Sequence, residues 1–270
     1  MQKGLVSIIV VSYNAEKYIE KTLLSSLNQT FRNIEVLLLD NASKDKTLEI
    51  VKKIQLSDDR LKIFENKENT GPYAGLNFLL EKAAGEYVAI NDHDDIWLPE
   101  KIERQVEFLE ENKKVAACGT ETFYYYEKRA ILILDRCQGF MDFVNHTSLM
   151  FRSNGFRYDT KYILADEYFE KKVLGGKSQI FCIGQPFVVH RIIGDRNNFS
   201  HRRFSFSRKD LAEFFEINGF GIKSITYLVG MLVTKYFPDG IVWFIINIVK
   251  IKSEKITKKD FGEKYPKVEL

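Results

Sequence analysis

The chain has 270 residues, of which 45% are hydrophobic, and a net charge of +3. This length and apolar content allow a large core and argue against a disordered protein. Three cysteines, Cys118, Cys137 and Cys182, are too few and too scattered for a disulfide framework or a zinc cluster, so we expect them to fill the core in a reducing, cytoplasmic compartment. The apolar run over residues 5–13 is too short and too β-branched for a signal peptide, so secretion is not expected.

Short apolar segments alternate with amphipathic segments along the first part of the chain. The apolar segments are rich in β-branched residues and predict strands buried on both faces, over residues 6–11, 35–40, 61–65 and 86–92. Between them, apolar residues recur at three- and four-residue intervals and predict helices over residues 15–28, 45–54 and 73–84. Strand and helix in alternation predict an α/β fold, with a mostly parallel sheet flanked by crossover helices.

Polar side chains follow three of the predicted strands at the point where each strand ends. They are Ser12, Tyr13 and Asn14 after the first strand, Asp40 and Asn41 after the second, and Asp92, Asp94 and Asp95 after the fourth. Ligands of open parallel sheets bind beyond the carboxyl ends of the strands, so we expect these side chains to face one crevice. Neither a dinucleotide fingerprint nor a P-loop is present, so phosphate must be neutralised in another way.

The acidic run at the end of the fourth strand suggests a metal site. Asp92 and Asp94, two residues apart, would direct oxygen ligands at one point, which suits Mn²⁺ or Mg²⁺ bridging to substrate phosphates. The cation would also offset the repulsion between the carboxylates. In the alternative interpretation, Asp94 or Asp95 caps a helix that begins near Trp97 and has Pro99 in its first turn.

Two long segments, residues 6–47 (VSIIVVSYNAEKYIEKTLLSSLNQTFRNIEVLLLDNASKDKT) and residues 69–105 (NTGPYAGLNFLLEKAAGEYVAINDHDDIWLPEKIERQ), carry a family resemblance. Both are similar to the inverting family 2 glycosyltransferases, which have the Rossmann-like GT-A fold and use nucleotide-diphosphate sugars. The resemblance is close over residues 5–110 and looser to about residue 200. It implies a catalytic domain over residues 1–205, with a nucleotide-sugar half (1–110) and an acceptor half (111–205).

The resemblance also assigns residues to the donor. By position it implies that the nucleotide sugar lies against Ser12, Tyr13, Asn14, Asp40, Asn41, Asn77 and Asp92, and that Asp92 and Asp94 hold the metal. Three positions depart from the family. Asn41 and Ala42 stand where an acidic residue and a glycine are commoner, and Leu76 stands where an arginine is frequent. These departures leave the identity of the nucleotide open.

An inverting transfer needs a base that removes a proton from the acceptor hydroxyl. Asp166 and Glu167 begin a predicted helix that ends at Gly175 and Gly176. The resemblance implies that Glu167 is the base, with Asp166 as the alternative. The pair could instead only complement the helix dipole.

Three further residues are expected on the acceptor side by resemblance. His146 precedes a predicted strand, where it either shapes the sugar site or is a core histidine. Trp97 and Arg191 match positions near the acceptor. The histidine that the family carries after Arg191 is replaced by Ile193 or Gly194, and we expect no histidine among the metal ligands.

Residues 206–270 are expected to form a helical, apolar and basic C-terminal extension. Residues 201–270 contain 13 Lys or Arg and 8 Asp or Glu. The apolar segments 225–237 and 240–252 are too short to span a bilayer. They are either ordinary core helices or, through residues 225–270, a peripheral contact with anionic lipid.

The sequence therefore predicts a metal-dependent inverting glycosyltransferase that moves a hexosyl or deoxyhexosyl group from a nucleotide-diphosphate sugar. The expected acceptor is a saccharide or lipid-linked saccharide, in the assembly of cell-surface polysaccharide or lipopolysaccharide. Alternatives are transfer to a polyprenyl phosphate, a sugar-nucleotide-binding module without turnover, and a metal-dependent phosphohydrolase. We expect a cytoplasmic location, with or without peripheral membrane contact, and no nucleic-acid partner.

Overall fold

A computed structural model describes residues 1–193, 206–236 and 254–270. The strands in these ranges are β1 (Gln2–Ser12), β2 (Ile34–Asp40), β3 (Leu61–Glu65), β4 (Gly85–Ile90), β5 (Ile96–Trp97), β6 (Ala117–Tyr126), β7 (Ile131–Asp135), β8 (Gly139–Phe140), β9 (Met150–Arg152), β10 (Ile180–Ile192) and β11 (Lys255–Thr257). The α-helices are α1 (Ile19–Leu27), α2 (Thr47–Gln55), α3 (Pro72–Lys82), α4 (Lys101–Glu111), α5 (Ala165–Tyr168), α6 (Arg208–Asn218), α7 (Ile222–Tyr236) and α8 (Lys258–Lys264).

The first half of the sheet is parallel, in the strand order β3-β2-β1-β4. Both faces are covered. Val6 and Ile8 on one face of β1 pack with Leu23 of α1, whereas Ile9 on the other face packs with Leu76 and Leu79 of α3. This two-sided burial explains why the strands appear in the sequence as continuous apolar runs. The four strands and three helices predicted in this half are confirmed, as is the α/β fold class.

The second half of the sheet is mixed. Strand β9 pairs antiparallel with both β4 and β6, β7 pairs antiparallel with β6, and β10 runs parallel to β6. Short strands β5 and β8 pair antiparallel with β10. The parallel arrangement inferred from the first half therefore does not extend to the second, where β6 and β7, for example, form an antiparallel hairpin.

The C-terminal residues join the main body. Phe214 of α6 and Met231 of α7 are buried in the same cluster as Phe151 and Phe169. Strand β11 pairs antiparallel with β7, so the described part of 206–270 is not wholly helical. The predicted segment 240–252 lies outside the described residues. None of the described helices has the length and apolarity that a membrane crossing requires.

The cysteine prediction is confirmed for one residue and wrong for two. Cys118 is a buried free thiol in the core. Cys137 and Cys182 are joined by a disulfide bond, with their Cα atoms 5.8 Å apart. They lie 45 residues apart in sequence, and the pairing of β8 with β10 brings them together. Sequence spacing alone does not reveal this contact.

Candidate functional site

A cavity of about 550 Å³ lies at the carboxyl ends of β1, β2 and β4. Ser12 and Tyr13 line it from the end of β1, Asn41 from the end of β2, and Asp92 and Asp94 from the end of β4. The predicted crevice is therefore present, and it gathers polar groups from all three strand ends. Parallel strands produce this convergence because their carboxyl ends share one edge of the sheet.

The residues after β1 differ in their exposure to the cavity. Ser12 is fully buried and its hydroxyl donates to the Leu39 carbonyl at 3.4 Å, whereas 42% of Tyr13 is exposed. Asn14 is not among the lining residues. Its Oδ1 atom accepts from the Lys44 N–H at 2.8 Å and its own N–H donates to Ser43 Oγ at 3.0 Å. Asn14 therefore fixes a neighbouring loop.

Asp40 and Asn41, at the end of β2, differ in their hydrogen bonding. Asp40, which was expected to contact the nucleotide sugar, is 3% exposed and is not among the lining residues. Its Oδ2 atom accepts from the Ser43 N–H at 3.1 Å. Its Oδ1 atom is buried and has no hydrogen-bond partner within the described ranges. A buried carboxylate oxygen without a donor is unfavourable, and so it marks a position where a ligand donor would be stabilising.

Asn41 organises the loop before α3. Its Oδ1 atom accepts from Asn66 Nδ2 at 2.9 Å and from the Thr70 N–H at 3.1 Å. Its Nδ2 atom donates to Asn69 Oδ1 at 3.1 Å and to the Gly71 carbonyl at 3.2 Å. A carboxylate could not donate in this way. The hydrogen bonds donated by Nδ2 thus explain why an amide is present at position 41, where the sequence departs from the resembled family.

Asn77, which was expected to contact the nucleotide sugar, does not line the cavity. Its side-chain amide makes a reciprocal pair with the Tyr158 backbone, donating to the carbonyl at 2.9 Å and accepting from the N–H at 2.8 Å. Leu76 lines the cavity instead. Among the described lining residues there is no lysine or arginine, and the basic side chains are His93, His146 and His190.

The acidic run brings together Asp92, Asp95 and His190. One potential ligand atom from each lies within 4.8 Å of the others. Asp95 is fully buried, and it accepts from His190 Nδ1 at 2.7 Å and from the Arg191 N–H at 2.8 Å. It does not cap a helix, since α4 begins at Lys101 without a side-chain cap.

Asp94 points to a different environment from its neighbour. It lines the cavity, and no hydrogen bond involves its carboxylate within the described chain. Its backbone carbonyl accepts from Arg191 Nε at 3.1 Å. The metal role of Asp94 therefore stays a prediction, and the cluster adds Asp95 and His190 to the possible ligands, contrary to our expectation that no histidine would take part.

Two histidines compensate the charge of the acidic run. Burial lowers the pKa of His190, but the Asp95 carboxylate outweighs this effect and raises it to about 9. In the same way burial opposes protonation of His146, while the nearby Asp92 raises its pKa to about 9. Burial raises the pKa of Asp95 to about 6 despite His190. Imidazolium groups thus offset the mutual repulsion of the carboxylates.

The cluster fits a hard or borderline divalent cation. Asp92 and Asp95 offer carboxylate oxygens and His190 an imidazole nitrogen, a donor set compatible with Mn²⁺. Asp92 is the accessible member, with 39% of its side chain exposed. Because His190 holds a proton, its use as a ligand would release that proton.

The predicted base lies on a helical segment that reaches the same cavity. Asp166, Glu167 and Glu170 all line it, from α5 and the π-helical turn Phe169–Val173 that follows. The segment ends at Gly175, whose φ of +95° suits glycine. The helix predicted to carry Asp166 and Glu167 and to stop at the glycine pair is confirmed.

The two candidate bases differ in their contacts. Asp166 is partly exposed and accepts from the Tyr73 hydroxyl at 3.1 Å. Glu167 is 6% exposed and accepts from the Tyr227 hydroxyl at 2.5 Å and from Lys171 Nζ at 3.2 Å. Burial raises the pKa of Glu167 above its ordinary value. Of the two, Glu167 is the more restrained.

Glu170 was not anticipated. It is 1% exposed and accepts from the Val144 N–H at 2.7 Å, and burial raises its pKa to about 8. The available signal was its spacing of three residues from Glu167, which places both on one helix face. Tyr227 was missed because residues 225–237 were interpreted only by their hydrophobicity.

One of the three residues expected at the acceptor reaches the cavity. His146 lines it, with Nε2 2.9 Å from the Tyr158 hydroxyl. Trp97 is 1% exposed, its Nε1–H donates to the Thr147 carbonyl at 3.0 Å, and it is not a lining residue. Arg191 is 5% exposed and is likewise absent from the lining. The expectation that Trp97 and Arg191 face the acceptor therefore differs from their buried positions outside the cavity lining.

A family model and the relatives compared with this chain are all described as glycosyltransferases. The family model described as "Glycosyl transferase family 2" matches residues 7–171. An uncharacterized glycosyltransferase of Haemophilus influenzae is 28% identical over 97% of this chain and 85% of its own length. A second one from that organism is 40% identical over 50% of this chain, and the match spans 54% of that relative. The Escherichia coli enzyme WfaP, named a UDP-Glc:alpha-D-GlcNAc-diphosphoundecaprenol beta-1,3-glucosyltransferase, is 37% identical over 47% of this chain and 49% of its own.

Two solved structures share the fold. Staphylococcus aureus TarS, residues 1–349 in complex with UDP, superposes with a TM-score of 0.59 at 21% identity, covering 84% of this chain and 70% of its own. The mannosyltransferase PcManGT from Pyrobaculum calidifontis, in complex with GDP-Man and Mn²⁺, gives a TM-score of 0.59 at 18% identity, covering 88% and 71%. At these identities the likeness concerns the fold alone.

Proposed function

This chain belongs to glycosyl transferase family 2, and from that premise we propose that it transfers a sugar with inversion from a nucleoside-diphosphate sugar to an acceptor saccharide. The observation that carries the proposal is that one cavity is lined both by Asp92 and Asp94 and by Asp166 and Glu167. A donor diphosphate and an acceptor base are the two requirements of an in-line displacement at the anomeric carbon.

The donor would enter at the ends of β1 and β2. The unpartnered Oδ1 atom of Asp40 is an acceptor, and it suits the ring N–H of uracil or guanine, which adenine and cytosine lack. The exposed ring of Tyr13 offers a surface for the nucleotide. TarS was solved with UDP and PcManGT with GDP-Man, which is consistent with these two bases.

We assign the divalent cation, Mn²⁺ or Mg²⁺, to Asp92 and Asp94, with Asp95 and His190 as further possible ligands. When bound, the ion would offset the negative charge that develops on the leaving diphosphate. The chain contributes positive charge through His146 and His190, which supports the proposal because no arginine or lysine lines the described part of the cavity.

Glu167 is the proposed base, and Asp166 is the alternative. A carboxylate removes the acceptor proton more efficiently when its pKa is nearer to neutrality than that of a free side chain. The raised pKa of Glu167, caused by burial, supports that role. Its hydrogen bonds hold it in one orientation, which favours a defined position for the acceptor hydroxyl.

A lipid-linked saccharide is the proposed acceptor class, and peripheral contact with a membrane accompanies it. WfaP is named for transfer to a diphosphoundecaprenol-linked sugar. On α7, Ile225, Val229 and Leu232 are exposed to 43%, 53% and 41%. Their spacing places them on one face of the helix. Such a face supports contact with the surface from which a lipid-linked acceptor would be taken.

The test is a transfer assay with defined donors. UDP-glucose, UDP-GlcNAc and GDP-mannose are first screened with Mn²⁺ by thermal shift, and the best binder is then incubated with a synthetic GlcNAc-diphospho-lipid. Anomeric couplings in the NMR spectrum of the product report its configuration. A product of inverted configuration supports the proposal. Retained configuration, or release of sugar from none of the three donors, contradicts it.

A further inference from the structure

Helix α6 holds the segment that carries Asp166 and Glu167. Glu213 Oε1 accepts from the Leu164 N–H, at the start of α5, at 2.8 Å. Glu216 Oε1 accepts from the Tyr162 hydroxyl at 2.5 Å. These contacts come from residues beyond the family-model match, which ends at residue 171. The orientation of the proposed base therefore depends on a part of the chain that the family motifs do not include.

The C-terminal helices also reach the Glu167 carboxylate itself. The Tyr227 hydroxyl of α7 donates to Oε1 at 2.5 Å, and Asn218 Nδ2, at the end of α6, donates to Oε2 at 3.4 Å. Asn218 Oδ1 in turn accepts from Lys171 Nζ at 2.5 Å, which donates to the same Oε2. Both carboxylate oxygens are thus engaged, and two of the three donors belong to α6 and α7.

We propose that helices α6 and α7 complete the acceptor half of the catalytic site, and that the Tyr227 hydroxyl is a positioning group that orients Glu167 and stabilises its carboxylate form. The inference rests on the proposed role of Glu167 as the base. Tyr227 also lines the cavity, where its ring stacks with that of Phe143 at a centroid distance of 6.5 Å. The acceptor would therefore meet residues from α7 directly.

Opposing influences act on the ionisation of Glu167. Burial is the largest and raises its pKa, the neighbouring Asp166 acts in the same direction, and Lys171 and the Tyr227 hydroxyl lower it. The ionisable groups that face it are Lys171, Asp166, Glu170 and Tyr227. Removing the Tyr227 hydroxyl takes away one of the groups that lower the pKa of Glu167, while burial continues to raise it. The pKa of Glu167 should therefore increase.

The role of the hydroxyl can be separated from that of the ring. The Tyr227 ring packs against Phe214 at 5.6 Å, and Phe214 is fully buried in the main core. Tyr227→Phe keeps this packing and removes only the donor. Tyr236→Phe, on the same helix and 59% exposed, makes the same chemical change away from the cavity and is the matched control.

The direct measurement is an infrared pH titration of the carboxyl C=O stretch, assigned to Glu167 by subtracting the spectrum of Glu167→Gln. We expect the midpoint in Tyr227→Phe to rise by about one pH unit and that in Tyr236→Phe to stay unchanged. Equal midpoints in wild type and Tyr227→Phe overturn the inference. If circular dichroism shows that Tyr227→Phe is unfolded, Asn218→Ala, which also removes a donor to Glu167, is titrated with the same expectation and the same overturning result.

Kinetics separate this inference from the function on which it rests. With Mn²⁺ and the donor selected by thermal shift, the acidic limb of kcat against pH should move upward in Tyr227→Phe while the KM for donor is unchanged. Full turnover by Glu167→Gln contradicts the assignment of the base, whatever the infrared result. An inactive Glu167→Gln combined with a wild-type pH profile in Tyr227→Phe contradicts only the role of the hydroxyl.

Discussion

The fully buried carboxylate of Asp95 pairs with the imidazole of His190, which lines the cavity, and Oδ2 of Asp95 lies 2.7 Å from Nδ1 of His190. The adjacent residue Asp94 lines the cavity, and its carboxylate takes part in no such pair with any described residue. Two neighbouring aspartates thus have separate environments, one joining the end of β4 to β10 and the other available to a ligand. This division allows the structural and metal-binding contributions to be tested separately.

Asp94→Asn should weaken Mn²⁺ binding without lowering the melting temperature, because its carboxylate accepts no hydrogen bond in the described part of the chain. Asp95→Asn should lower the melting temperature, because it removes the buried charge that pairs with His190. The measurement is the electron paramagnetic resonance signal of free Mn²⁺ during titration, together with thermal unfolding. Asp59→Asn, at an exposed position in a turn, is the control. Unchanged Mn²⁺ affinity in Asp94→Asn would remove Asp94 from the proposed ligands.

Asp40→Asn should weaken nucleotide binding by roughly tenfold or more, since a hydrogen bond to a charged group contributes about 1.5–3 kcal/mol. The amide oxygen would accept from the Ser43 N–H, as Oδ2 does now, and the NH₂ group would then face the position of Oδ1. An NH₂ group there cannot accept the ring N–H of uracil or guanine. Calorimetry with UDP and GDP checks this, with Asp59→Asn again as control. Equal affinities for wild type and Asp40→Asn would show that the base lies elsewhere.

Residues at strand ends were predictable because their position follows from sequence order. The alternation of strand and helix fixes which polar residues stand at the carboxyl edge, and Ser12, Asn41 and Asp92 indeed meet in one cavity. The pairing of β10 with β6 and β5, by contrast, is not encoded by local periodicity. It brings His190 to Asp95 across 95 residues, which sequence spacing cannot reveal.

Trp97 and Asn77 were expected at the ligand site for a different reason. Trp97 and Asn77 are polar or amphipathic, a property that suggests a ligand site, but the fold uses their donors on backbone carbonyls, those of Thr147 and Tyr158. A buried polar group must be satisfied, and sequence alone does not tell whether a ligand or the backbone does so. The contribution of α7 was hidden for a related reason, since hydrophobicity describes only one face of that helix.

Glu167→Gln should leave donor binding intact and lower the rate of transfer by roughly 10²–10⁴-fold, the usual contribution of a general base. The amide keeps the shape of the side chain and can still accept one hydrogen bond, so the loss reports the missing base rather than a collapsed site. Transfer is followed by release of UDP or GDP, and donor binding by calorimetry. Asp166→Asn is made in parallel. A rate loss confined to Asp166→Asn would transfer the role of base to Asp166.

Lys101 gives a prediction about pH and stability. It is fully buried, with Nζ 2.8 Å from Gln105 Oε1 and 3.7 Å from the centre of the Trp97 ring, and burial lowers its pKa from 10.5 to about 7. Between these pH values the unfolded chain holds a proton that the folded chain releases. The free energy of unfolding should therefore rise with pH through this window, by up to about 1.4 kcal/mol per pH unit from this residue.

The Lys101→Met variant should lack the part of the pH-dependent rise in unfolding free energy that comes from Lys101. Urea unfolding at pH 7 and pH 9 measures the slope for wild type, Lys101→Met and the exposed control Lys114→Met. The pH dependence of stability is compared, and not stability at a single pH, because the lost contact with Trp97 changes stability by a similar amount at both pH values. Identical slopes in wild type and Lys101→Met would mean that Lys101 keeps an ordinary pKa in the folded protein.

The outer face of α7 is the part of the described chain to test for membrane contact. Ile225, Val229 and Leu232 are exposed on it, whereas Met231 on the opposite face is buried in the core. Deleting the helix would also remove Tyr227 and Met231, so substitutions are the better test. We expect the wild type to float with phosphatidylglycerol vesicles in a density gradient, and less so at high salt. Changing the three exposed residues to Gln should abolish flotation, and changing the exposed Leu56 to Gln should not. Wild-type protein that stays at the bottom of the gradient, or a triple variant that floats as well as the wild type, would show that this face does not bind lipid.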